Sequence, residues 1–193
     1  MIENILEIRW HGRAGQGVKT ASYLLAEAAM DLGKYIQAFP EYGPERMGAP
    51  MAAYTRISDK QILIHSGVEN PDIIVVIDPT LVGTIDILKG VDLEKGIVII
   101  NSALEPSVFR EKLPGFKGKL ATVDATGIAL DSIGRPIPNV PMLGALIKVT
   151  DLLPLKSVEE KLEHKFSEKF NREIVEGNLK ALERGYQEVR IDG

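Results

Sequence analysis

Residues 10–20 read WHGRAGQGVKT, and this stretch decides the fold prediction. An apolar segment at residues 5–10 leads into it, and a segment with helical periodicity at residues 18–30 follows it. Glycine adopts positive φ and has no Cβ that would block a ligand. The pattern therefore predicts a strand, a glycine-rich turn and a helix N-terminus. The glycines at this junction are Gly12, Gly15 and Gly17.

Charge beside this turn favours an anion as its ligand. A turn of this kind presents backbone N–H groups and the positive end of a helix, which together suit a phosphate. Arg13 and Lys19 flank the glycines and add positive charge. The alternative interpretation is a tight strand-to-helix connection that holds no ligand.

The triphosphate-binding loop fits this stretch except at one position. That loop requires a Lys directly after its second Gly, but Val18 separates Gly17 from Lys19. One extra residue rotates the Lys19 side chain by ~100° around the helix. The motif therefore does not predict a triphosphate site.

The dinucleotide fingerprint Gly-x-Gly-x-x-Gly/Ala also fits incompletely. Gly15 and Gly17 match its first two positions, and Thr20 stands at the third. The fingerprint expects an acid about 20 residues further on, and Glu41 is the nearest candidate. A freestanding dinucleotide-binding oxidoreductase therefore stays open as an alternative.

Composition indicates a globular protein and argues against several functions. The chain has 193 residues, of which 45% are hydrophobic and 26% charged, with a net charge of −4. That charge gives no basic field for nucleic acid. With no Cys, the chain cannot form disulfides or ligate an iron–sulfur cluster through thiolates. The longest aliphatic runs are too short to span a membrane, and we expect no secretory signal and a cytoplasmic location.

Periodicity and turn signals predict an α/β protein. Strands are predicted at residues 5–10, 35–39, 51–57, 61–65, 73–77, 97–100 and 120–123. Helices are predicted at residues 18–30, 81–88, 105–112, 128–133 and 142–153, and around the apolar ladders that start at Val158 and Ile174. We expect an antiparallel hairpin between residues 51–57 and 61–65, and a loop at the Pro- and Gly-rich residues 39–50.

These elements predict a three-layer α/β/α fold with a largely parallel, mixed sheet. The hairpin adds antiparallel strands, and a helical C-terminal extension covers residues 151–193. No linker or repeat divides residues 1–193, so a single domain is predicted.

Polar residues follow three predicted strands, at Asp78, Asn101 and Asp124. Ligands of open parallel sheets lie beyond the carboxyl ends of the strands, so these side chains could line a crevice with the glycine turn. The favoured interpretation is that they cap the segments that follow.

Several motifs together resemble one family. They are GRAGQGVKTAS, FPEYGPERMGAP, VVIDPTL, VDATGIAL and NVPMLGAL, at residues 12–22, 39–50, 75–81, 123–130 and 139–146. In this order and spacing they closely resemble the gamma subunit of 2-oxoacid:ferredoxin oxidoreductases, with the pyruvate branch the most similar. Ketoisovalerate and 2-oxoglutarate enzymes have similar gamma chains.

The resemblance implies a part in a multi-subunit enzyme. Such enzymes decarboxylate a 2-oxoacid on thiamine diphosphate, reduce ferredoxin through iron–sulfur clusters and transfer the acyl group to coenzyme A. It implies alpha, beta and delta subunits as partners, which carry the thiamine diphosphate and the clusters. The gamma chain is an accessory α/β domain on the coenzyme A side, with no catalytic residue of its own.

The resemblance also implies a coenzyme A site on this chain. The phosphates of coenzyme A need amide donors and positive charge, which the glycine turn and the basic residues near it can supply. In some single-chain members of the family two adjacent basic residues occupy the loop that matches residues 39–50, whereas here Glu45 stands next to Arg46. A purely structural subunit with an empty glycine turn is the remaining alternative. The predicted binding residues are Gly12, Arg13, Gly15, Gly17, Lys19 and Arg46.

Overall fold

A mixed β-sheet forms the centre of the computed structural model, which describes residues 5–42 and 48–192. Within those ranges seven strands lie in the order β2-β3-β1-β4-β5-β6-β7. Strands β1, β4, β5 and β6 run parallel, whereas β2, β3 and β7 pair antiparallel. The bounds are β1 Ile5–Arg13, β2 Tyr35–Tyr42, β3 Pro50–Ser58, β4 Ile73–Val76, β5 Ile97–Asn101, β6 Lys119–Val123 and β7 Arg190–Asp192. The predicted α/β class and mixed sheet are confirmed.

Most helical residues cover one face of the sheet. The helices in the described part are α1 Val18–Asp31, α2 Ser107–Arg110, α3 Ala125–Ile133, α4 Asn139–Thr150, α5 Leu155–Ser167 and α6 Arg172–Glu188. All except the one-turn α2 contribute side chains to a core that also contains Ile8, Trp10 and Val75 of the sheet. None of these helices is both long and apolar enough to cross a membrane.

Helix α4 lies at the centre of this helical layer. Its sequence is apolar on nearly every side, and all but its Lys148 and Thr150 are buried. Glycines allow α6 to approach it closely. A Cβ at Gly144 would lie 2.0 Å from the Leu182 carbonyl oxygen, and one at Gly185 would lie 2.1 Å from that of Pro141. The predicted extension therefore packs within the same layer as α4.

The other face of the sheet is covered by irregular structure. Ile74, Val76 and Ile100 pack there against Ile87 and Phe109. The helix predicted at residues 81–88 is wrong. A 3-10 turn spans Pro79–Leu81, and Gly83 then adopts φ 83°, which an α-helix does not accommodate. The helix predicted at residues 105–112 is confirmed only as the short α2.

The antiparallel hairpin is present, but the prediction names the wrong partner strand for residues 51–57. Strand β3 pairs with β2 on one side and β1 on the other, so it has no free edge for residues 61–65, which form no strand. The hairpin therefore joins β2 to β3. Residues 39–42 of the predicted loop belong to β2, an edge strand in which Pro40 is tolerated.

Candidate anion-binding site

The glycine turn connects β1 to α1 as predicted. Gly15 adopts φ 92° and Gly17 adopts φ 79°, both in the left-handed region that favours glycine. Gly17 is the N-cap residue of α1, and no side chain caps the first helical amides. Because those amides have no partner within the helix, the N-terminus of α1 offers donors and a positive dipole to a ligand.

Gln16 and Arg13 hold this turn against the neighbouring strand. The Gln16 amide oxygen accepts a hydrogen bond from the Arg13 backbone N–H at 2.8 Å, and its Nε2 donates to Asp78 Oδ2 at 2.9 Å. Arg13 Nε donates to the same Asp78 oxygen at 3.0 Å. Its other nitrogens donate to the Gly48 carbonyl at 2.7 Å and to Thr80 Oγ1 at 3.2 Å. The Arg13 guanidinium is thus engaged by groups of the protein.

Asp78 is the acceptor that makes this arrangement stable. Burial alone would raise the pKa of Asp78, but hydrogen bonds from Thr80 and Gln16 and the charge of Arg13 favour the ionised form and lower it overall. The carboxylate also accepts the Thr80 backbone N–H at 2.9 Å, so it caps the turn that follows β4.

An open groove lies on the helical side of the glycine turn. It has a volume of ≈ 580 Å³ and runs between the N-termini of α1 and α4, the C-terminal ends of α3 and α5, and the start of α6. Its polar lining includes Gly15, Gly17, Lys19, Arg135, Asn139 and Lys169. Its apolar lining includes Tyr23, Ile133, Ile137, Phe166, Phe170 and Ile174.

The groove is positively charged. Lys165 pairs with Glu27. Among the described residues, no carboxylate lies within 4.0 Å of the cationic groups of Lys19, Arg135 or Lys169. The Lys19 ammonium lies 5.4 Å from the centre of the Tyr23 ring. Within the described residues, these three cationic side chains are therefore available to bind an anionic ligand.

Asn139 is a buried polar residue in this groove. It is 5% exposed and begins α4, where Pro138 is the N-cap residue, so Asn139 does not cap this helix although its residue type commonly does. Within the described ranges its side-chain amide makes no hydrogen bond, whereas Asn178 nearby donates to the Ile174 carbonyl. An amide that is buried yet open to the groove can donate to a ligand.

The structure brings together part of the predicted site. Gly15, Gly17 and Lys19 line the groove. Gly12 lies within β1, where a Cβ would be 2.5 Å from Val18 Cγ2, so its role is close packing. Arg13 turns to Asp78, on the other side of the turn. Arg46 and Glu45 lie outside the described residues.

The dinucleotide alternative gains no support from this geometry. The fingerprint places its acid after the next parallel strand, but Glu41 lies on the antiparallel strand β2 and accepts a hydrogen bond from the Tyr54 hydroxyl. Thr20, at the third fingerprint position, is an exposed residue in the first turn of α1.

The polar residues that end the parallel strands are structural. Asp124 accepts the Gly127 backbone N–H at 2.9 Å and is the N-cap residue of α3. Asn101 donates to the Ile77 carbonyl at 2.9 Å and accepts the Thr126 backbone N–H at 3.2 Å. The favoured interpretation is confirmed for Asp78 and Asp124, which cap the segments that follow them. It is wrong for Asn101, whose side chain joins the end of β4 to the start of α3. In the described ranges no cluster of His, Asp or Glu has a metal-binding arrangement.

Sequence reasoning missed half of the groove. Arg135, Lys165 and Lys169 lie far from the glycine turn in sequence, and the spacing of Phe166 and Phe170 in the apolar ladder that starts at Val158 predicts only a helix. No local motif marks these residues as one site, because only the packing of α1, α4, α5 and α6 brings them together.

A second polar cluster lies on the opposite face of the sheet. Arg9 Nε donates to His11 Nε2 at 3.1 Å, and its Nη2 donates to the Ile87 and Lys89 carbonyls at 3.0 and 2.7 Å. Burial, and secondarily the charge of Arg9, lowers the pKa of His11 to about 4. His11 is therefore neutral at pH 7.

Comparison with known proteins gives a consistent result. A family model described as pyruvate ferredoxin/flavodoxin oxidoreductase matches residues 7–188. Pyruvate synthase subunit PorC of Thermotoga maritima is 54% identical over 184 residues, which cover 95% of this chain and 94% of that protein. The pyruvate/ketoisovalerate oxidoreductases common subunit gamma of Thermococcus kodakarensis is 47% identical over 187 residues, covering 97% and 98%. The crystal structure of the Thermotoga maritima subunit superposes with a TM-score of 0.87 at 51% identity, covering 98% of this chain and 99% of that one.

Proposed function

Because this chain belongs to the pyruvate ferredoxin/flavodoxin oxidoreductase family and is a gamma-type subunit, we propose that it helps to bind coenzyme A in a multi-subunit pyruvate:ferredoxin oxidoreductase. The enzyme oxidatively decarboxylates pyruvate to acetyl-CoA and reduces ferredoxin. This chain also holds the assembly together, with alpha, beta and delta subunits as its partners.

The glycine turn is the observation that carries this proposal. Gly15 and Gly17 leave the N-terminus of α1 open, and Lys19 adds charge beside a groove. Coenzyme A carries a diphosphate and a 3′-phosphate, and both groups require hydrogen-bond donors and positive charge. A purely structural subunit does not require these features, and its turn tolerates side chains and loss of charge.

The redox chemistry is assigned to the partner subunits. With no Cys, this chain has no thiolate for an iron–sulfur cluster. Two of its side chains have strongly shifted pKa values, His11 at about 4 and Tyr54, which burial and then its hydrogen bond to Glu41 raise to about 12. Both are hydrogen-bonded within the protein, His11 to Arg9 and Tyr54 to Glu41. Thiamine diphosphate and the clusters therefore belong, in this proposal, to other chains in the same cytoplasmic complex.

The 2-oxoacid is also selected elsewhere. The Thermococcus kodakarensis relative is named as a subunit common to pyruvate and ketoisovalerate oxidoreductases. A subunit that serves two enzymes does not choose between their substrates. We assign pyruvate to the present chain because the Thermotoga maritima relative is named as a pyruvate synthase subunit.

Purification of the tagged chain from its source cells tests the assembly. We expect three further chains in equal amounts, one with thiamine diphosphate and one rich in Cys. If the chain purifies alone and binds NAD(H), the proposal is contradicted, and the glycine turn is then a dinucleotide-binding site.

Kinetics of the purified complex test the binding role. Lys19→Ala is expected to raise the KM for coenzyme A and leave the KM for pyruvate unchanged, because only the acyl acceptor contacts this chain. Arg46→Ala is expected to act in the same direction, although Arg46 lies outside the described residues. Equal effects on both KM values contradict a coenzyme A site.

A further inference from the structure

A second cavity lies on the face of the sheet that points away from the helical layer. It has a volume of ≈ 600 Å³, which is within the range of small-molecule sites. Its rim is formed by exposed residues of two loops that meet where Gly90 packs against the Glu69 carbonyl. Its floor is formed by Val68 and by side chains of β1 and β3, namely Arg9, His11, Ala52 and Tyr54.

Arg9 is a buried cation in this floor. It is 7% exposed, and in the described part of the chain no carboxylate lies within 4.0 Å of its guanidinium. Arg56, on the same face of the sheet, is 1% exposed and pairs with Glu7 at 2.7 Å. Burial lowers the pKa of Arg9 overall, although nearby acidic groups oppose the shift. Since buried charges in proteins are normally paired, the Arg9 charge indicates an anionic ligand.

Two hydrogen-bond donors of this cluster are directed at no protein acceptor. Arg9 uses Nε and Nη2, whereas its Nη1 makes no hydrogen bond within residues 5–42 and 48–192. Because His11 Nε2 accepts from Arg9, the proton of the neutral ring lies on Nδ1. This Nδ1 also makes no hydrogen bond in those ranges, where Ser132 Oγ is the only fully buried side-chain atom that lacks a partner. Arg9 Nη1 and His11 Nδ1 are therefore accessible from the cavity.

The rim restricts the charge of a ligand. Glu69 and Asp86 contribute two carboxylates and Lys89 one ammonium group, and none of the three forms an ion pair among the described residues. The excess of carboxylates repels a second negative charge on a ligand. Ala52 and Val68 offer apolar surface beside the two donors. These features favour a ligand with one negative charge and a small apolar body.

We propose that this cavity binds a small monocarboxylate, whose two oxygens accept hydrogen bonds from Arg9 Nη1 and His11 Nδ1. A hydrogen bond between guanidinium and carboxylate is charge-assisted and stronger than a neutral one. The apolar part of the ligand packs on Ala52 and Val68. The inference goes beyond the proposed function and does not depend on it, because the groove at the glycine turn lies on the other face of the sheet.

An NMR titration of the full chain at constant pH, with three compounds of similar shape, tests the site. Isobutyrate carries one carboxylate, isobutyramide none and methylmalonate two. We expect isobutyrate to shift the ring nitrogen signals of His11 to saturation and to leave those of the exposed His65 and His164 unchanged. Isobutyramide is expected to bind about tenfold more weakly, because it loses one charge-assisted contact. Methylmalonate is expected to bind more weakly than isobutyrate, because its second carboxylate meets the rim.

Two variants locate the binding. Arg9→Met removes the charge and is expected to abolish the saturable His11 shift, but it also removes hydrogen bonds to two loop carbonyls. Ala52→Val leaves both donors in place, suits a strand and fills part of the floor, so it is expected to raise the Kd for isobutyrate. Arg172→Met is the control and is expected to leave that Kd unchanged, since Arg172 is exposed on α6, pairs with Glu176 and lines neither cavity.

Three results overturn the inference. The first is the absence of a saturable His11 shift with isobutyrate. The second is an affinity for isobutyramide or methylmalonate that equals the affinity for isobutyrate. The third is an unchanged Kd for isobutyrate in folded Ala52→Val, because a ligand in this cavity cannot share the floor with the added methyl groups.

Discussion

Gly17 and Asn139 are in contact so close that a Cβ on Gly17 would lie 2.5 Å from the Asn139 Nδ2 atom. This contact joins the turn after β1 to the start of α4, although the two residues are 122 positions apart in the chain. The candidate site is therefore a product of helix packing as well as of the glycine motif.

Gly17→Ala tests this contact. The substitution forces a side chain into φ 79° and against Asn139, whereas Gly15→Ala meets only the backbone strain of φ 92°, since no atom lies within 4 Å of its Cβ position. The strain alone costs about 1–2 kcal/mol. We expect Gly17→Ala to lower the free energy of unfolding more than Gly15→Ala does, as measured by denaturant titration. Equal losses for the two variants contradict the role of the contact.

Asn139→Asp separates binding from folding. The two side chains have the same shape, and a carboxylate in the first turn of a helix interacts favourably with its dipole by about 0.3–1 kcal/mol. We expect thermal stability to be unchanged or slightly higher. The new charge repels the diphosphate, so the Kd for coenzyme A is expected to rise. An unchanged Kd in calorimetric titration of the complex shows that Asn139 does not face the ligand.

Asp78→Asn tests how the glycine turn is held. The side chain of Asp78 is 8% exposed and accepts hydrogen bonds from Arg13 and Gln16. The amide keeps the shape but loses the charge, so we expect a loss of about 1–3 kcal/mol in the free energy of unfolding. Asp124→Asn is the comparison variant, because Asp124 is exposed and caps α3 without an ion pair within the described residues. A smaller loss for Asp78→Asn than for Asp124→Asn contradicts this account.

His11 predicts a pH dependence of stability. Burial, followed by the charge of Arg9, lowers its pKa from 6.5 to about 4, so between these values the unfolded chain binds a proton that the folded chain does not. Stability is therefore complete above about pH 6.5 and decreases as the pH falls towards 4, by roughly 3 kcal/mol from this group. His11→Gln is expected to flatten the unfolding free energy in this window, and His65→Gln, at an exposed position, is expected to leave it unchanged. Identical profiles for wild type and His11→Gln contradict the assignment.

Local signals made the strand, turn and α1 predictable. The glycine spacing, the apolar run before it and the helical periodicity after it all lie within residues 5–31. The parallel strands were equally clear, because β4 and β5 are short, apolar and buried on both faces.

Strand pairing and helix packing explain where the sequence-based predictions of the fold and the groove fail. Nearness in sequence favours residues 61–65 as the partner of β3, but both edges of β3 are occupied by β1 and β2. The groove depends on the approach of α6 to α4, in which Gly144 meets Leu182 and Gly185 meets Pro141, residues 38 and 44 positions apart in the chain. No hydrophobic period in either helix indicates that Phe170 lines the same groove as the glycine turn.

Direct binding of coenzyme A to the purified complex tests whether the glycine turn holds this ligand. Calorimetric titration is compared for wild type, Lys19→Ala and the control Lys180→Ala, since Lys180 is an exposed lysine of α6 that does not line the groove. The account predicts a Kd about tenfold higher for Lys19→Ala, the loss of one charge-assisted contact, and an unchanged Kd for Lys180→Ala. The same Kd in all three proteins would contradict a coenzyme A site at the glycine turn.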